Sequence, residues 1–460
     1  MSSEQKTCPY GGAPDVRPPD AVAPPQPFTS QGIVGAHVKR HVGRIKARIA
    51  SLRSGLPLPP GDLSKPPANV DVDQTYLLRM TQRFGPIFRV WSNEKHTTVI
   101  ADAALGRKLL LKHQDSMRTT STDLTALIPN GFLRNMSGET HKKYRRIVGG
   151  GVRAVDVADH DAEVRSILRD ALAAMHAMGD RIERDAHRRE LKRATTAILM
   201  LFVYGLKRSD PEFAAMAAAH DRYVPNGAPI VVQPAMREPF AALKTLFTET
   251  VAPRAGKRKQ PSVLSFVAAS GEMDDTAVGN MMQMVEFARY DLHGFLSWVV
   301  CQLSRRPDIC DTPKPGGKYA RRLDALCDAV VRETLRSEQS EFLFRRVLED
   351  IHFEGYLIPA GSRIRVGIWE SHHTEEFFPA PFTFRPERFL EEEADVSHYA
   401  PLGIDRHNCV GADWVHGIAS RLVAEILSGY RMKQVDDGPA ERGPFHYMPA
   451  ANFVFALEPR

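Results

Sequence analysis

The sequence predicts a mainly α-helical protein with minor β-sheets, and two patterns carry that prediction. From about residue 141 to 336, apolar side chains recur at helical spacing, with long amphipathic runs at 160–177, 190–206, 276–305 and 321–336. Short strand-like segments with Gly and Pro turns flank this region, at 85–102 and 343–368. Because the strand segments come from both ends of the chain, we expect one interlocked domain over 31–460 rather than two independent units.

The composition limits what the chain can be. Its 460 residues are 43% hydrophobic and 25% charged, which is ordinary for a large globular protein. No apolar stretch approaches the roughly 18 residues of a membrane span, so no transmembrane anchor is expected, and the start lacks a secretory signal. Five widely spaced cysteines favour free thiols in a reducing cytoplasm. The formal charge of +6 suits an acidic protein partner, an anionic membrane surface or nucleic acid, but it is a mild excess for a chain this long and also fits plain solubility. We expect no nucleic-acid partner.

The N-terminal region contains a tail and a basic helix. Residues 1–30 are rich in Pro, Gly and Ser, which predicts a flexible extended tail. At 36–53, lysines and arginines surround apolar residues at four-three spacing, namely Val38, Val42, Ile45, Ile49 and Leu52. Such a helix can lie on a membrane or a partner, or it can be a surface helix covering its own domain. A surface helix that covers its own domain is the commoner case.

Three of the candidate functional stretches lie in the C-terminal third. Cys409 stands just before a predicted helix, where amide N–H groups stabilise a thiolate, and Gly411 lets the backbone approach a flat group closely. Glu333 and Arg336 share a helix face, and Arg388 of the loop 384–390 could join them. A buried ionic cluster is costly unless it is fully paired, so such a cluster would serve to lock the fold.

A further stretch, "GETHKKYRR" at 138–146, places His141 and Arg145 four residues apart on a predicted helix. Both side chains can donate hydrogen bonds to an anionic group such as a carboxylate. The alternative is a solvated surface helix, because Lys142, Lys143 and Arg146 lie alongside.

In this order and at these distances, the stretches resemble the haem-thiolate cytochromes P450 over roughly residues 80–460, with a soluble bacterial pattern. "ETLR" (333–336) resembles the Glu-x-x-Arg of that family, "PERF" (386–389) its usual loop, and "GYLIPAGSRI" the strand pair between them. The resemblance implies the P450 fold and a haem b cofactor with Cys409 as the axial iron ligand. A thiolate ligand pushes electron density towards the iron and favours O–O cleavage. The residues implied to hold the haem propionates are His141, Arg145, Arg345 and His407.

The sequence departs from the family pattern in two places. Before the cysteine, Leu402 and Asp405 stand where the family usually has Phe and Gly, and we expect Asp405 to adopt a left-handed conformation. In the central helix, "ARYDL" (288–292) is the best match to Ala/Gly-Gly-x-Asp/Glu-Thr. Arg289 replaces the second glycine, and Leu292 replaces the threonine that in most members helps to deliver protons to dioxygen.

Two registers of the central helix stay open from sequence. Either Ala288 and Asp291 face the haem, or a shift by one places Arg289 and His293 there. The candidate catalytic residues are therefore Asp291, Arg289 and His293. Alternatively, Arg289 points away from the iron and pairs with Glu286 or Asp291. The segment 114–135 is expected to roof the pocket, whose expected lining residues are Ala288, Tyr290, Leu292 and Arg118.

The resemblance implies an oxidoreductase, most simply a monooxygenase-type tailoring enzyme that oxidises a small organic substrate with an atypical proton relay. One alternative is a peroxide-using or hydroperoxide-rearranging haem-thiolate enzyme, in which Arg289 could anchor a substrate carboxylate. A second alternative is a catalytically silent haem protein used for sensing or scaffolding. Since no residues remain for a fused flavin or ferredoxin domain, we expect separate ferredoxin and reductase donors, or peroxide.

Overall fold

The computed structural model describes residues 30–63, 73–92, 95–120, 123–224, 232, 234–257, 260–310, 323–339, 341–390, 396–443 and 446–460, and only the backbone of 30–40. The tail predicted for 1–30 lies outside these residues, apart from Ser30, which begins the first helix. Helices dominate the described chain and the sheets are small, so the predicted mainly α class is confirmed.

The helices agree with the amphipathic runs to within a few residues at most ends. They are α1 (Ser30–Ser54), α2 (Tyr76–Phe84), α3 (Ala103–Lys112), α4 (Gly138–Arg153), α5 (Asp161–His176), α6 (Arg184–Tyr204), α7 (Phe213–Tyr223), α8 (Arg237–Leu246), α9 (Val263–Ala269), α10 (Asp275–Arg305), α11 (Pro307–Cys310), α12 (Leu323–Glu338), α13 (Ile368–His372) and α14 (Ala412–Gly429). None of these helices is long and apolar enough to cross a bilayer.

The strands are short. They are β1 (Gly61–Asp62), β2 (Ile87–Ser92), β3 (Lys95–Ile100), β4 (Met117–Thr119), β5 (Ile182–Glu183), β6 (Phe342–Val347), β7 (Ile351–Phe353), β8 (Tyr356–Ile358), β9 (Arg363–Gly367), β10 (Tyr430–Asp436), β11 (Glu441–Arg442), β12 (Tyr447–Met448) and β13 (Val454–Pro459).

The largest sheet joins both ends of the chain. Its strand order is β1-β2-β3-β9-β6-β4, with β3 parallel to β9 and β6 antiparallel to both β9 and β4. The apolar face of this sheet packs on α3 and the segment near Ile404, forming one core. A second and larger core lies among the helices. The sheet positions Arg345 of β6 at the edge of the helical region.

Helix α10 runs through the larger core and organises the residues around it. Its start is capped by Asp274, whose carboxylate accepts a hydrogen bond from the Ala277 N–H (2.9 Å). Asn280 accepts from the Leu133 N–H (2.7 Å) and donates to Gly131 O (3.1 Å). These bonds fix the loop before α4 against the central helix. This loop belongs to the segment 114–135 that is expected to roof the pocket.

Glu333, Arg336 and Arg388 form the buried ionic cluster that the sequence predicts. The Glu333 carboxylate accepts from Arg336 Nε (2.8 Å) and Nη2 (2.9 Å), from Arg388 Nε (3.0 Å) and from the Arg385 N–H (2.9 Å). The remaining guanidinium donors reach backbone carbonyls, including His372 O and Pro379 O. Since both cations share one carboxylate and also bond to the backbone, the cluster ties α12 to two later loops.

Candidate active site

The loop before α14 holds Cys409 in a fixed backbone arrangement. The Cys409 N–H donates to Leu402 O (2.8 Å). Gly403 has φ of 93°, and a Cβ there would lie 3.0 Å from Asn408 Cα, so this turn requires glycine. The prediction of a left-handed conformation for Asp405 is wrong. In the described chain, the non-glycine residues with positive φ are Asn130, Glu354 and Ala380. Asp405 instead shapes the loop with its carboxylate, which accepts from the His407 N–H (2.9 Å).

The Cys409 thiol is exposed at the start of α14, whose N-cap residue is Gly411. The protein around the sulfur disfavours the thiolate and raises the pKa of Cys409, whereas a hydrogen bond from the Gly411 N–H lowers it. Asp291 adds a raising influence on this pKa, and Arg145 and Arg134 add lowering ones. Asp291 of the central helix is therefore within electrostatic reach of the thiol.

The four predicted propionate donors converge on residues 405–409. The rings of His141 and His407 lie 4.3 Å apart, centroid to centroid. Arg145 donates to Asn408 O (3.1 Å) and Asn408 Oδ1 (2.6 Å). Arg345 Nη2 lies 2.5 Å from Asp405 Oδ2. The cluster thus joins α4, β6 and the loop that carries the cysteine.

The cluster suits an anionic ligand. His407 Nδ1 is buried and has no hydrogen-bond partner. Burial lowers the pKa of His407 to about 4, and the neighbouring His141 and Arg345 add to this effect. Burial and then Arg145 likewise lower the pKa of His141. An unpartnered ring nitrogen and two guanidinium groups around an exposed thiol fit the propionates and iron of a haem.

On helix α10, the residues of the two registers considered from sequence lie on different sides of the helix. The Asp291 side chain is 57% exposed and Ala288 is half-buried, whereas Arg289 and His293 are buried. Since a helix turns about 100° per residue, Arg289 points about 160° away from Asp291. Arg289 bonds to Asp221 (2.7 Å) and Glu286 (2.6 Å), and His293 donates to Arg289 O (2.7 Å).

A protein-family model described as "Cytochrome P450" matches residues 325–446, the part of the chain that contains the ionic cluster and the cysteine loop. The chain is 23% identical to abscisic acid 8'-hydroxylase 1 of Oryza sativa subsp. japonica over 85% of this chain and 88% of the relative. The match to dimethylnonatriene synthase of Arabidopsis thaliana is 32% identical but spans only 35% of each protein.

Solved structures agree in fold. The retinoic-acid-bound cyanobacterial CYP120A1 superposes with a TM-score of 0.70 at 20% identity, covering 88% of this chain and all of that one. A zebra fish cytochrome P450 with progesterone gives a TM-score of 0.67 at 19% identity, covering 84% of this chain and 99% of that one. Over residues 325–446 the chain matches the cytochrome P450 family, and its fold is that of the cytochromes P450. These findings support an oxidoreductase of the monooxygenase type whose cofactor is a haem with a cysteine thiolate ligand.

One contact near the candidate site, between His446 and Asp291, could not be predicted from the sequence motifs. His446 Nε2 donates to Asp291 Oδ1 (2.9 Å), and the Tyr290 ring lies 5.9 Å from the His446 ring. Burial acts to lower the pKa of His446, but the hydrogen bond and charge of Asp291 outweigh it, so the pKa is raised. Nothing in the sequence pairs these residues, because they are 155 positions apart.

A cavity of about 350 Å³ borders the segment that carries His446. Glu341 lies in its wall, where one carboxylate oxygen bonds to Arg442 Nη1 (2.5 Å) and the other, Oε1, is buried without a partner. The lining residues are Asp73, Gln74, Leu77, Val90, Ser92, Glu341, Phe342, Phe344, Arg365, Trp369, Glu370, Arg442, Gly443 and Tyr447. Aromatic rings and carboxylates thus both line this cavity.

The remaining predicted pocket residues lie in different surroundings. Leu292 is buried in the helical core, where it has no proton to donate, and Tyr290 is mostly buried against His293. Arg118 is exposed on β4 opposite Arg346 of β6. Because successive residues of a strand point to opposite faces, Arg118 lies on the other side of the sheet from Arg345. The structure therefore does not bring Arg118 into the cluster around Cys409.

Proposed function

We propose that the chain is a monooxygenase that oxidises a small organic substrate beside a haem whose iron is bound by Cys409. The observation that carries this proposal is the exposed Cys409 thiol, which lies at the start of α14 within the basic cluster. When bound, the haem supplies the oxidising chemistry, and the thiolate tunes it by donating electron density. His141, Arg145, Arg345 and His407 hold its propionates in this proposal, and the unpartnered Nδ1 of His407 supports that role.

Asp291 and His446 form the proton relay in this proposal. Monooxygenation needs protons as well as electrons, and Leu292 cannot provide the hydroxyl that the family's threonine usually offers. A proton on His446 Nε2 can pass to Asp291 Oδ1, leaving a neutral imidazole and a carboxylic acid on the open side of α10. Solvent then returns a proton to His446. The short contact and the raised pKa of His446 support this assignment.

The proposed substrate has an apolar skeleton and at least one hydrogen-bond donor, such as a hydroxyl or ammonium group. Phe342, Phe344, Trp369 and Tyr447 offer apolar surface in the cavity, and Glu341 Oε1 is a buried acceptor that lacks a partner. A buried carboxylate oxygen favours a ligand that donates to it. Relatives named abscisic acid 8'-hydroxylase and taxoid 2-alpha-hydroxylase support a compact organic substrate.

Electrons come, in this proposal, from a separate acidic donor such as a ferredoxin that docks near α4. Lys142, Lys143 and Arg146 lie on this helix, although Glu139, Asp274 and Glu272 pair with them. A peroxide-using enzyme would instead need a group such as Arg289 over the haem to anchor its substrate. The bonds from Arg289 to Asp221 and Glu286, on the buried side of α10, favour the dioxygen route.

The ligand assignment is tested by the spectrum of the reduced protein with carbon monoxide. We expect a Soret band at the position typical of thiolate ligation, and its loss in Cys409→Ser. Cys327→Ala, which removes a buried thiol of α12, is the matched control and should keep the band. A histidine-type spectrum in the unmodified protein would refute the assignment.

The relay is tested by comparing two oxidant supplies. With a surrogate ferredoxin, its reductase and NADPH, His446→Gln should lower turnover at least about tenfold, since it removes the proton donor. Turnover driven by hydrogen peroxide, which brings its own protons, should change little. His352→Gln, an exposed histidine on β7, is the control. Asp291→Asn should lower the pKa of His446 followed by NMR; an unchanged pKa would refute the pair, and no turnover by either route would favour a silent haem protein.

A further inference from the structure

Helix α1 packs on the domain through its small residues. Gly43, Ala47, Ala50 and Ser51 are buried or half-buried, and a Cβ at Gly43 would come within 2.7 Å of the His96 ring. These positions recur at i, i+4 and i+7 or i+8, so they form one face of the helix. The close approach at Gly43 shows that small side chains are what lets this face lie against β3.

The large apolar residues of α1 point the other way. The aliphatic stripe, which consists of Val42, Ile45, Ile49 and Leu52, has side chains between 43% and 79% exposed. At about 100° per residue, the stripe is centred roughly opposite the small-residue face. The commoner interpretation of the sequence, in which these apolar residues cover their own domain, is therefore wrong for this stripe. Four bulky aliphatic side chains in water on one helix indicate a surface that is covered by something else.

Basic residues flank the stripe on both sides. By their helical positions, Arg44 and Arg48 lie along one border and Lys46 and Arg53 along the other, and all four are exposed. The whole helix, residues 30–54, contains six lysines and arginines and no aspartate or glutamate. An apolar stripe between two cationic borders is the pattern of a helix that lies in the plane of a membrane interface.

We propose that α1 binds an anionic lipid surface, with the aliphatic stripe among the acyl chains and its basic borders at the headgroups. A second copy of the chain is a poor occupant, because pairing two stripes would bring two sets of cations together. An acidic protein would neutralise the arginines but leave aliphatic groups without apolar partners. Anionic lipid meets both requirements, since it offers apolar acyl chains to the stripe and negative headgroups to its borders.

The test uses the full-length, haem-loaded protein and sedimentation with vesicles. The protein should bind vesicles of equal parts phosphatidylcholine and phosphatidylglycerol, and bind vesicles of phosphatidylcholine alone far less. Raising the salt concentration should weaken the binding, because screening acts on exposed charges. The double variant Ile45→Ser/Ile49→Ser should bind about 30-fold more weakly, as expected from loss of two inserted aliphatic side chains.

The control is Leu111→Ser/Val396→Ser, which removes two exposed aliphatic residues outside α1 and should bind like the unmodified protein. Both double variants should keep the carbon monoxide spectrum, since the altered side chains lie on the surface. No binding to the anionic vesicles, or equal binding by the α1 variant, would overturn the proposal. Two further outcomes would also overturn it: self-association without vesicles, or a stable complex with an acidic ferredoxin, if the α1 variant abolishes it and the control variant does not.

Discussion

Arg345 Nη2 lies 2.5 Å from Asp405 Oδ2, and each side chain is only 8% exposed. Asp405 occupies a position where the family usually has glycine, so this chain supplies its own carboxylate to an arginine that we assign to a propionate. The carboxylate also accepts from the His407 N–H, so it both shapes the cysteine loop and neutralises part of the basic cluster.

Asp405→Asn should therefore hold haem more tightly. Asparagine keeps an acceptor for the His407 N–H but removes the charge that competes for Arg345. We expect haem loss to an excess of a haem scavenger to slow about tenfold, equivalent to about 1.4 kcal/mol. Asp115→Asn, an exposed carboxylate near Arg406, is the control. Faster haem loss would mean that Asp405 supports the site chiefly by shaping the loop.

Glu333→Gln should destabilise the fold severely. It leaves Arg336 and Arg388 buried with no compensating charge, which costs about 3–5 kcal/mol in comparable pairs. Urea denaturation of the haem-loaded protein measures the loss. Asp328→Asn removes an exposed ion pair with Arg332 on the same helix and should change the free energy of unfolding by less than about 1 kcal/mol. Equal effects of the two substitutions would contradict the role given to the cluster.

Arg289→Gly, which restores the family's usual glycine, should harm the protein rather than improve it. The Glu286 carboxylate is buried and bonds to Arg289 and His220, so removal of the arginine leaves it undercompensated. We expect a loss of about 3 kcal/mol in the free energy of unfolding, partly recovered in Arg289→Gly/Glu286→Gln. Unchanged stability with weakened binding of carboxylate substrates would instead support an anchoring role for Arg289.

Stability should fall steeply as the pH drops from 6.5 towards 4. Burial lowers the pKa of His293 to about 4 and those of His187 and His372 to about 3, with Arg188 or Arg336 as the next cause. His372 illustrates the geometry, since its Nε2 accepts from the Ala400 N–H (3.0 Å) and cannot do so when protonated.

The direction of this pH dependence follows from the uptake of protons by the histidines on unfolding. In the unfolded chain these three histidines titrate near 6.5, so between 6.5 and 4 the unfolded state holds more protons than the folded state. Above pH 6.5 both states are neutral and the effect vanishes. The three groups together remove up to about 4 kcal/mol per pH unit within this window. Urea unfolding at a series of pH values measures the slope, and a flat profile from pH 7 to 5 would contradict the prediction.

The sequence was most informative where the functional group and its signal are local. Cys409 with Gly411, and Glu333 with Arg336, are read from neighbouring positions, and the structure brings these residues together. The directions of Arg289 and Asp291 on α10 could not be read in this way, because they depend on contacts with α7 and with the segment near residue 446. The contact of His446 with Asp291 could not be predicted for the same reason, because it joins residues that are distant in the sequence.

The orientation of α1 was also beyond the sequence. Periodicity identified a helix with an apolar stripe, but a stripe of aliphatic residues is ordinarily the side that a helix buries. The small residues at Gly43 and Ala47 gave a competing face whose use depends on the shape of β3 and His96. Close packing of the small residues of α1, with Gly43 against the His96 ring, therefore outweighed aliphatic burial in setting the direction of the helix.

The parallel pairing of β3 with β9 has a consequence for how the protein is made. Thr97 of β3 aligns with Arg363 of β9, so a ribosome must add more than half of the chain before β3 gains this neighbour. Until then Val99 and Ile100, which are fully buried in the finished sheet, lie on an open strand edge that invites aggregation. Nascent chains should depend on a chaperone through this interval, and products of premature termination before β9 should be insoluble or degraded.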